Sequence, residues 1–485
     1  MENNNQKLSV LEKIGYSLGD FAANLVFQTL MTYLAFFYTD IYGLKNTDAS
    51  IIMLSVGLVA AFVFNPIIGI LADRTKSKWG KFRPWILFTA IPLGIVAVLA
   101  FSTPDFSYKG KLIYSVVTYT LLLMLYASSN LPYSALSAVL TGNMSERNSI
   151  SSYRFVAVMV AQFFVQVFML PIIIYVGNGE KAVGIEIVMT GLAIIGTVML
   201  LITFVSTRER IIPSQEQNSS MGADFSALFK NKPWLIMLTV TILVFISLAL
   251  KNGSHIYYFE NYVDKKALSD FISPVVSKFS AIGFTIFDND AVSAGFGLFN
   301  SCGISLMIIG ILFSKRLADK FGKRDVFKYA LLISAVLVFS FIFVGSNNVA
   351  VMFLLQSLFG FFYGITIPIL WAMVADVADY MEWKMNRRAT ALTFSAMMVG
   401  LKAGLSIGGA LVVSILNGYG YLSKGNATIS TVIEQSPSVA IGTKMLVSAF
   451  SALPFFISVV LMFFYVIDKK MENRIEIDLK QSRKK

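Results

Sequence analysis

Asp20, Arg154 and Lys402 stand inside stretches that are otherwise almost wholly apolar. A charge in such surroundings is costly and points to a partner or a water-filled path. Lys402 lies deep in its run, Val399-Gly400-Leu401-Lys402-Ala403-Gly404; Arg154 follows Ser151-Ser152-Tyr153 near the start of its own run and has the simpler alternative of reaching back to an aqueous surface. Asp376, Asp379 and Glu382 repeat at i, i+3, i+6 along one helix face, close to Lys384, Arg387 and Arg388, a set suited to an ion-paired gate. Reversible binding of a polar solute or a proton suits these residues. Enzyme chemistry does not: there is no Gly-x-x-x-x-Gly-Lys-Ser/Thr phosphate loop, and a single histidine (His255) and a single cysteine (Cys302) supply no metal cluster and no internal disulfide. Neither a metal nor a cofactor is expected.

The elements that must carry these residues are membrane helices. Of 485 residues 56% are hydrophobic and 14% charged, more apolar surface than one water-soluble core can hide. Crossing about 30 Å of hydrocarbon takes roughly 20 apolar residues. Such runs are predicted near 15–40, 49–73, 83–103, 110–138, 152–177, 184–206, 233–259, 291–313, 326–345, 349–374, 389–416 and 444–467, an all-α protein of twelve transmembrane helices. The net charge of +12 gathers in alternate joints and in the tail, which reads as positive-inside topology with both termini cytoplasmic and excludes a nucleic-acid partner. Residues 1–13 lack the apolar core of a removable signal. Between 264 and 290, apolar residues at helical spacing fit either a helix on the outer membrane surface or an ordinary loop.

An internal repeat divides the chain. Ile70-Leu71-Ala72-Asp73-Arg74 with Gly80-Lys81 recurs as Arg316-Leu317-Ala318-Asp319-Lys320 with Gly322-Lys323, each after the second helix of a half. This predicts two pseudo-symmetric six-helix bundles, 1–206 and 233–467, joined by a cytoplasmic linker 207–232 and followed by a basic tail 468–485. The joint resembles the loop signature of the major facilitator superfamily, in which Asp73, Arg74 and Asp319 would help lock one state alongside Asp376, Asp379 and Glu382. Gly15-Tyr16-Ser17-Leu18-Gly19-Asp20, Trp79-Gly80-Lys81-Phe82-Arg83-Pro84, Asn130-Leu131-Pro132-Tyr133 and Ala375-Asp376-Val377-Ala378-Asp379-Tyr380 together resemble the glycoside-pentoside-hexuronide:cation symporter family.

That resemblance implies a transporter of a glycoside or hexuronide in the inner membrane, working by alternating access. Asn24, Asn130, Arg154 and Lys402 match positions lining the family's sugar site or cation route, and Tyr133 and Tyr258 flank matched motifs where a ring could stack on a sugar. Members that carry melibiose have acids where Asn24 and Asn130 stand. Amides keep hydroxyl recognition but lose negative charge, leaving Arg154 and Lys402 without those two counter-charges and favouring a substrate with a carboxylate. Ala61 and Asn65 replace the acids that would hold sodium. A proton is then the expected coupling ion, with Asp20 its candidate site; uncoupled facilitated diffusion and a non-sugar organic anion or amphiphile both stay open. Oligomeric state is unknown from sequence, and the lipid bilayer is the one macroscopic partner implied.

Overall fold

The computed structural model describes residues 8–141, 144–210, 229–283, 285–288, 290–385, 390–423 and 435–482. Among them, twelve helices are long and apolar enough to cross a membrane. In chain order they are α1 (Val10–Ile41), α2 (Asn46–Ala72), α3 (Arg83–Ala100), α4 (Tyr108–Ser137), α5 (Ser149–Val176), α6 (Lys181–Ser206), α7 (Lys232–Asn261), α9 (Ala291–Phe321), α10 (Lys323–Phe343), α11 (Val349–Lys384), α12 (Ala396–Gly418) and α13 (Pro437–Phe463). Two amphipathic helices complete the set, α8 (Lys265–Ala281) and α14 (Lys469–Ser482). The segment that the sequence left open between surface helix and loop is thus helical over α8, where Leu268 and Ile272 are buried while Phe271 and Val275 are exposed. Residues 211–228 of the predicted linker lie outside the described residues.

Proline shapes several helices. A π turn at Ala60–Phe64 directly precedes Pro66 in α2, and another at Leu446–Phe450 precedes Pro454 in α13. Pro66 has no N–H to give to the carbonyl four residues back, and the wider turn absorbs the mismatch. Buried hydroxyls follow the complementary rule: Thr29, Thr241 and Ser334 each donate to the carbonyl of residue i−4.

The chain forms two compact units. One holds α1 to α6 with residues 275–297; the other holds α7, residues 298–421 and residues 435–482. In the first, α1 packs on α5 and α6, and α3 packs on α4 and α6. In the second, α7 packs on α12 and α13, and α10 packs on α11 and α13. The two sets correspond helix for helix, which is the pseudo-symmetry that the repeat implies. Both repeated Gly-Lys pairs begin the third helix of a half through a glycine with positive φ, +108° at Gly80 and +89° at Gly322, a conformation L side chains rarely adopt.

Backbones approach closely where glycines meet. A Cβ on Gly360 would fall on the carbonyl of Gly303, one on Gly310 on the carbonyl of Phe361, and one on Gly364 on that of Met307. The α9–α11 pair is therefore locked by three small-residue contacts along its length. By contrast, a Cβ on Gly191 in α6 would have nothing within 4 Å. Gly360→Val should overpack the crossing by about 1–3 kcal/mol, visible as a lower melting temperature of the detergent-solubilised protein, whereas Gly191→Ala should leave it equal or slightly raised. Equal melting of all three proteins would show that the helices separate at no cost.

Candidate transport site

Five of the residues singled out from sequence lie in the first unit: Asp20, Asn24, Asn130, Tyr133 and Arg154. Asp20 on α1 is 5% exposed, and its carboxylate accepts from Arg154 Nε on α5 at 2.5 Å. The Arg154 guanidinium lies over the rings of Tyr16 and Tyr133, 5.6 and 5.3 Å from their centroids. Those rings stack at 4.6 Å, and each hydroxyl donates to the other residue's carbonyl, at 2.9 and 2.8 Å. Gly19 makes room for the Tyr133 ring and Gly15 for Ser206. The first sequence motif is therefore a seat: two glycines let α4 and α6 close on α1, the tyrosine pair forms a floor, and Asp20 and Arg154 meet above it.

Arg154 has a counter-charge from another position: Asp20 pairs with it, although Asn24 and Asn130 carry none. Asn24 donates its amide N–H to the Asp20 carbonyl at 2.9 Å, so part of its capacity goes to its own helix. Asn130 is half-buried on α4. Two turns further along α1, Gln28 accepts from Gln166 of α5 at 3.2 Å, extending the polar seam between these helices.

The second unit carries the other two. Lys402 is half-buried on α12. Tyr258 is fully buried on α7 in a ring cluster with Tyr262, Phe259 and Phe341, and its hydroxyl has no hydrogen-bond partner among the described residues. More telling is a residue that sequence reasoning passed over. Lys251 on α7 is completely buried; its ammonium donates to Gln356 Oε1 at 2.5 Å, lies 3.1 Å from His255 Nε2 and sits 4.3 Å above the Phe359 ring. The available signal was the i, i+4 spacing of Lys251 and the sole histidine inside an apolar helix.

On the acidic face of α11, one acid takes a partner from another helix. Asp376 pairs with Lys323 at the start of α10, at 2.7 and 2.8 Å, and Lys323 also reaches Glu472 of α14 at 2.8 Å. Lys384 instead donates to the Tyr380 hydroxyl. Arg387 and Arg388, expected partners of Asp376, Asp379 and Glu382, lie outside the described residues, as does the Asp73 side chain. Asp379 and Glu382 are half-buried, while Arg74 and Asp319 are exposed. Lys469 donates to the carbonyl of Asp319 at 2.6 Å, and Asp478 accepts from the Trp383 indole at 2.8 Å, so the basic tail is a helix clamped on α9 and α11.

The first half has its own latch. Glu209, just beyond α6, accepts from the backbone N–H groups of Lys81, Phe82 and Arg83 at 2.8, 2.7 and 3.0 Å. A carboxylate at a helix N-terminus satisfies orphan donors and meets the positive end of the dipole. Arg83 adds a bond to the Phe204 carbonyl at 2.7 Å. Glu12 and Arg210 form a two-pronged pair at 2.7 and 2.8 Å, which raises the Arg210 pKa.

In α2, Ala61 is buried and Asn65 bonds weakly to the Ala61 carbonyl at 3.5 Å; neither is a hard-cation ligand of the carboxylate type. Among the described residues no cluster of three or more His, Cys, Asp or Glu side chains could hold a metal.

Twelve apolar helices in two matching halves, with ionisable groups paired inside them, define a multi-pass membrane carrier. A family model described as MFS/sugar transport protein matches residues 15–294 and 289–469, and the chain belongs to that family. It is 35% identical over 430 residues to the inner membrane symporter YicJ of Escherichia coli (strain K12), covering 88% of this chain and 87% of that one. It is 29% identical to the glucuronide carrier protein homolog of the same organism, covering 98% and 96%. The crystal structure of the nucleoside transporter NupG shares the fold, with a TM-score of 0.59 at 15% identity over 94% of this chain and 100% of that one. The protein is a secondary transporter of the sugar-symporter type and not an enzyme.

The Lys323–Asp376 pair is partly buried, with side chains 25% and 16% exposed. A double-mutant cycle of Lys323→Met and Asp376→Asn, read by thermal unfolding in detergent, should give a coupling of roughly 0.5–3 kcal/mol. A coupling indistinguishable from zero would show that the pair contributes nothing.

Proposed function

We propose that this protein carries a carboxylate-bearing glycoside, a hexuronide above all, across the inner membrane by alternating access and together with a proton. The observation that carries the reading is the partly buried Asp20–Arg154 pair over stacked tyrosines. Asp20 takes Nε of the guanidinium, a group shaped to grip a carboxylate with two parallel N–H bonds. Protonating Asp20 removes its charge and frees Arg154 for the carboxylate of an incoming substrate; when the substrate leaves, Asp20 loses its proton and recaptures Arg154. Acid and proton then bind together and leave together. Asn24, Asn130, Tyr133, Arg154, Tyr258 and Lys402 would be the substrate-binding residues. Asp73, Arg74, Asp319, Asp376, Asp379 and Glu382 would act in gating, and both termini would face the cytoplasm.

The glucuronide carrier homolog among the relatives supports a hexuronide. A specific observation supports a second reading, a non-sugar organic anion: Asn24 uses its N–H on its own backbone, and no acid replaces it at the sugar-hydroxyl position.

In proteoliposomes, counterflow of radiolabelled p-nitrophenyl glucuronide should exceed that of a neutral galactoside and ignore sodium. Arg154→Ala and Lys402→Ala should each lower it by about 100-fold or more, the scale of a lost charge-assisted bond of about 3 kcal/mol. Neutral-sugar exchange alone, or full activity in both variants, would refute carboxylate recognition. Asp20→Asn should retain counterflow yet lose part of the accumulation driven by a pH gradient; accumulation equal to wild type would remove Asp20 from coupling.

A further inference from the structure

We propose that Lys251 and His255 form a second proton-binding site, distinct from Asp20, so that two protons accompany each substrate. The inference rests on the proton-coupled reading above.

Its basis is the environment of Lys251. Lys251 and His255 are 0% and 1% exposed inside a membrane helix. The ammonium has three neighbours, all neutral acceptors or a ring face: Gln356 Oε1, His255 Nε2 and Phe359. Among the described residues, the groups that meet this pair from the elements packed on α7 are neutral. From α9 come Phe299, edge-on to the His255 ring at 5.2 Å, and Asn300, a hydrogen-bond partner of His255. From α11 come Gln356 and Phe359. Gly408 of α12 sits against Ala249, and the Ser451 carbonyl of α13 accepts from Ser247. Among the described residues neither Lys251 nor His255 makes an ion pair with a carboxylate.

An ion pair compensates its charges mutually, as Asp20 and Arg154 do. Lys251 has no such partner, and an unpaired buried charge costs several kcal/mol. Its neighbours leave the proton itself as the species whose departure relieves that cost. At 3.1 Å the two nitrogens share one hydrogen bond, so the pair holds one proton: Nζ gains it from water to become an ammonium while His255 Nε2 stays an acceptor, and Nζ returns it to water on the other side. Gln356 is set for this role by Gly303, whose missing side chain leaves space for the Gln356 amide. A purely structural lysine would not require the sole histidine at i+4 as an acceptor.

The test is the number of protons moved per substrate, measured with the full chain in proteoliposomes by balancing an imposed pH gradient against a gradient of p-nitrophenyl glucuronide at zero membrane potential. Wild type should balance at two protons. Lys251→Met, always neutral, and Lys251→Arg, always charged, should both balance at one, while counterflow shows that they still fold and bind. Asp20→Asn should also balance at one, carried by Lys251. Wild-type balance at one proton, or a value of two in either Lys251 variant, would overturn the proposal, and the wild-type measurement decides even if a variant fails to insert. Absence of wild-type counterflow would instead refute the transport reading on which the inference rests.

Discussion

Inside a lipid-facing helix bundle a polar group has no lipid partner, so it must pair within the protein or face a watery path. This constraint organises the whole molecule. Backbone groups are satisfied along each helix, hydroxyls fold back on the preceding turn, and amides meet amides, as at Gln28 and Gln166. For full charges the two halves differ. The first half answers Arg154 with Asp20 and a tyrosine floor; the second surrounds Lys251 with an amide, an imidazole and a ring. The first arrangement fixes a charge in place. The second accommodates a charge without fixing it, and mobility of the proton follows.

The same helix contacts recur in both halves, yet the chemistry along them does not. α1 on α5 and α6 matches α7 on α12 and α13, but the ionisable residues occupy different turns. Packing depends on small residues and volume, which repeated copies preserve, whereas recognition depends on single side chains free to diverge. Gly303 shows both demands at one position: its carbonyl lies against Gly360, and its own missing side chain admits the amide of Gln356.

The number and type of helices were legible in the sequence because hydrocarbon thickness imposes a length that hydropathy reveals directly. Asp20, Arg154 and Lys402 were legible as charges in apolar runs. Their partners were not, since helical spacing assigns a face and not the residue opposite; Asp20 and Arg154 are 134 positions apart. The same limit hid the partner that another helix brings to Asp376, Lys323. Lys251 escaped notice because it lies nearer a helix end than Lys402 and close to polar Asn252, Ser254 and His255, which blurs the apolar run around it. Glu209 escaped because its bonds go to backbone N–H groups, which leave no mark in side-chain patterns.

The two latches share a plan. Each joins the Gly-Lys turn before the third helix of its half to an acid that follows the half's last helix: Glu209 on the backbone at Lys81, and Glu472 on the side chain of Lys323. Neither acid exists on the ribosome until its six helices have been made. The first half can therefore be closed once synthesis passes residue 209, while the second waits for residue 472. The membrane-insertion machinery thus meets a finished half and an open one for most of the second half's synthesis.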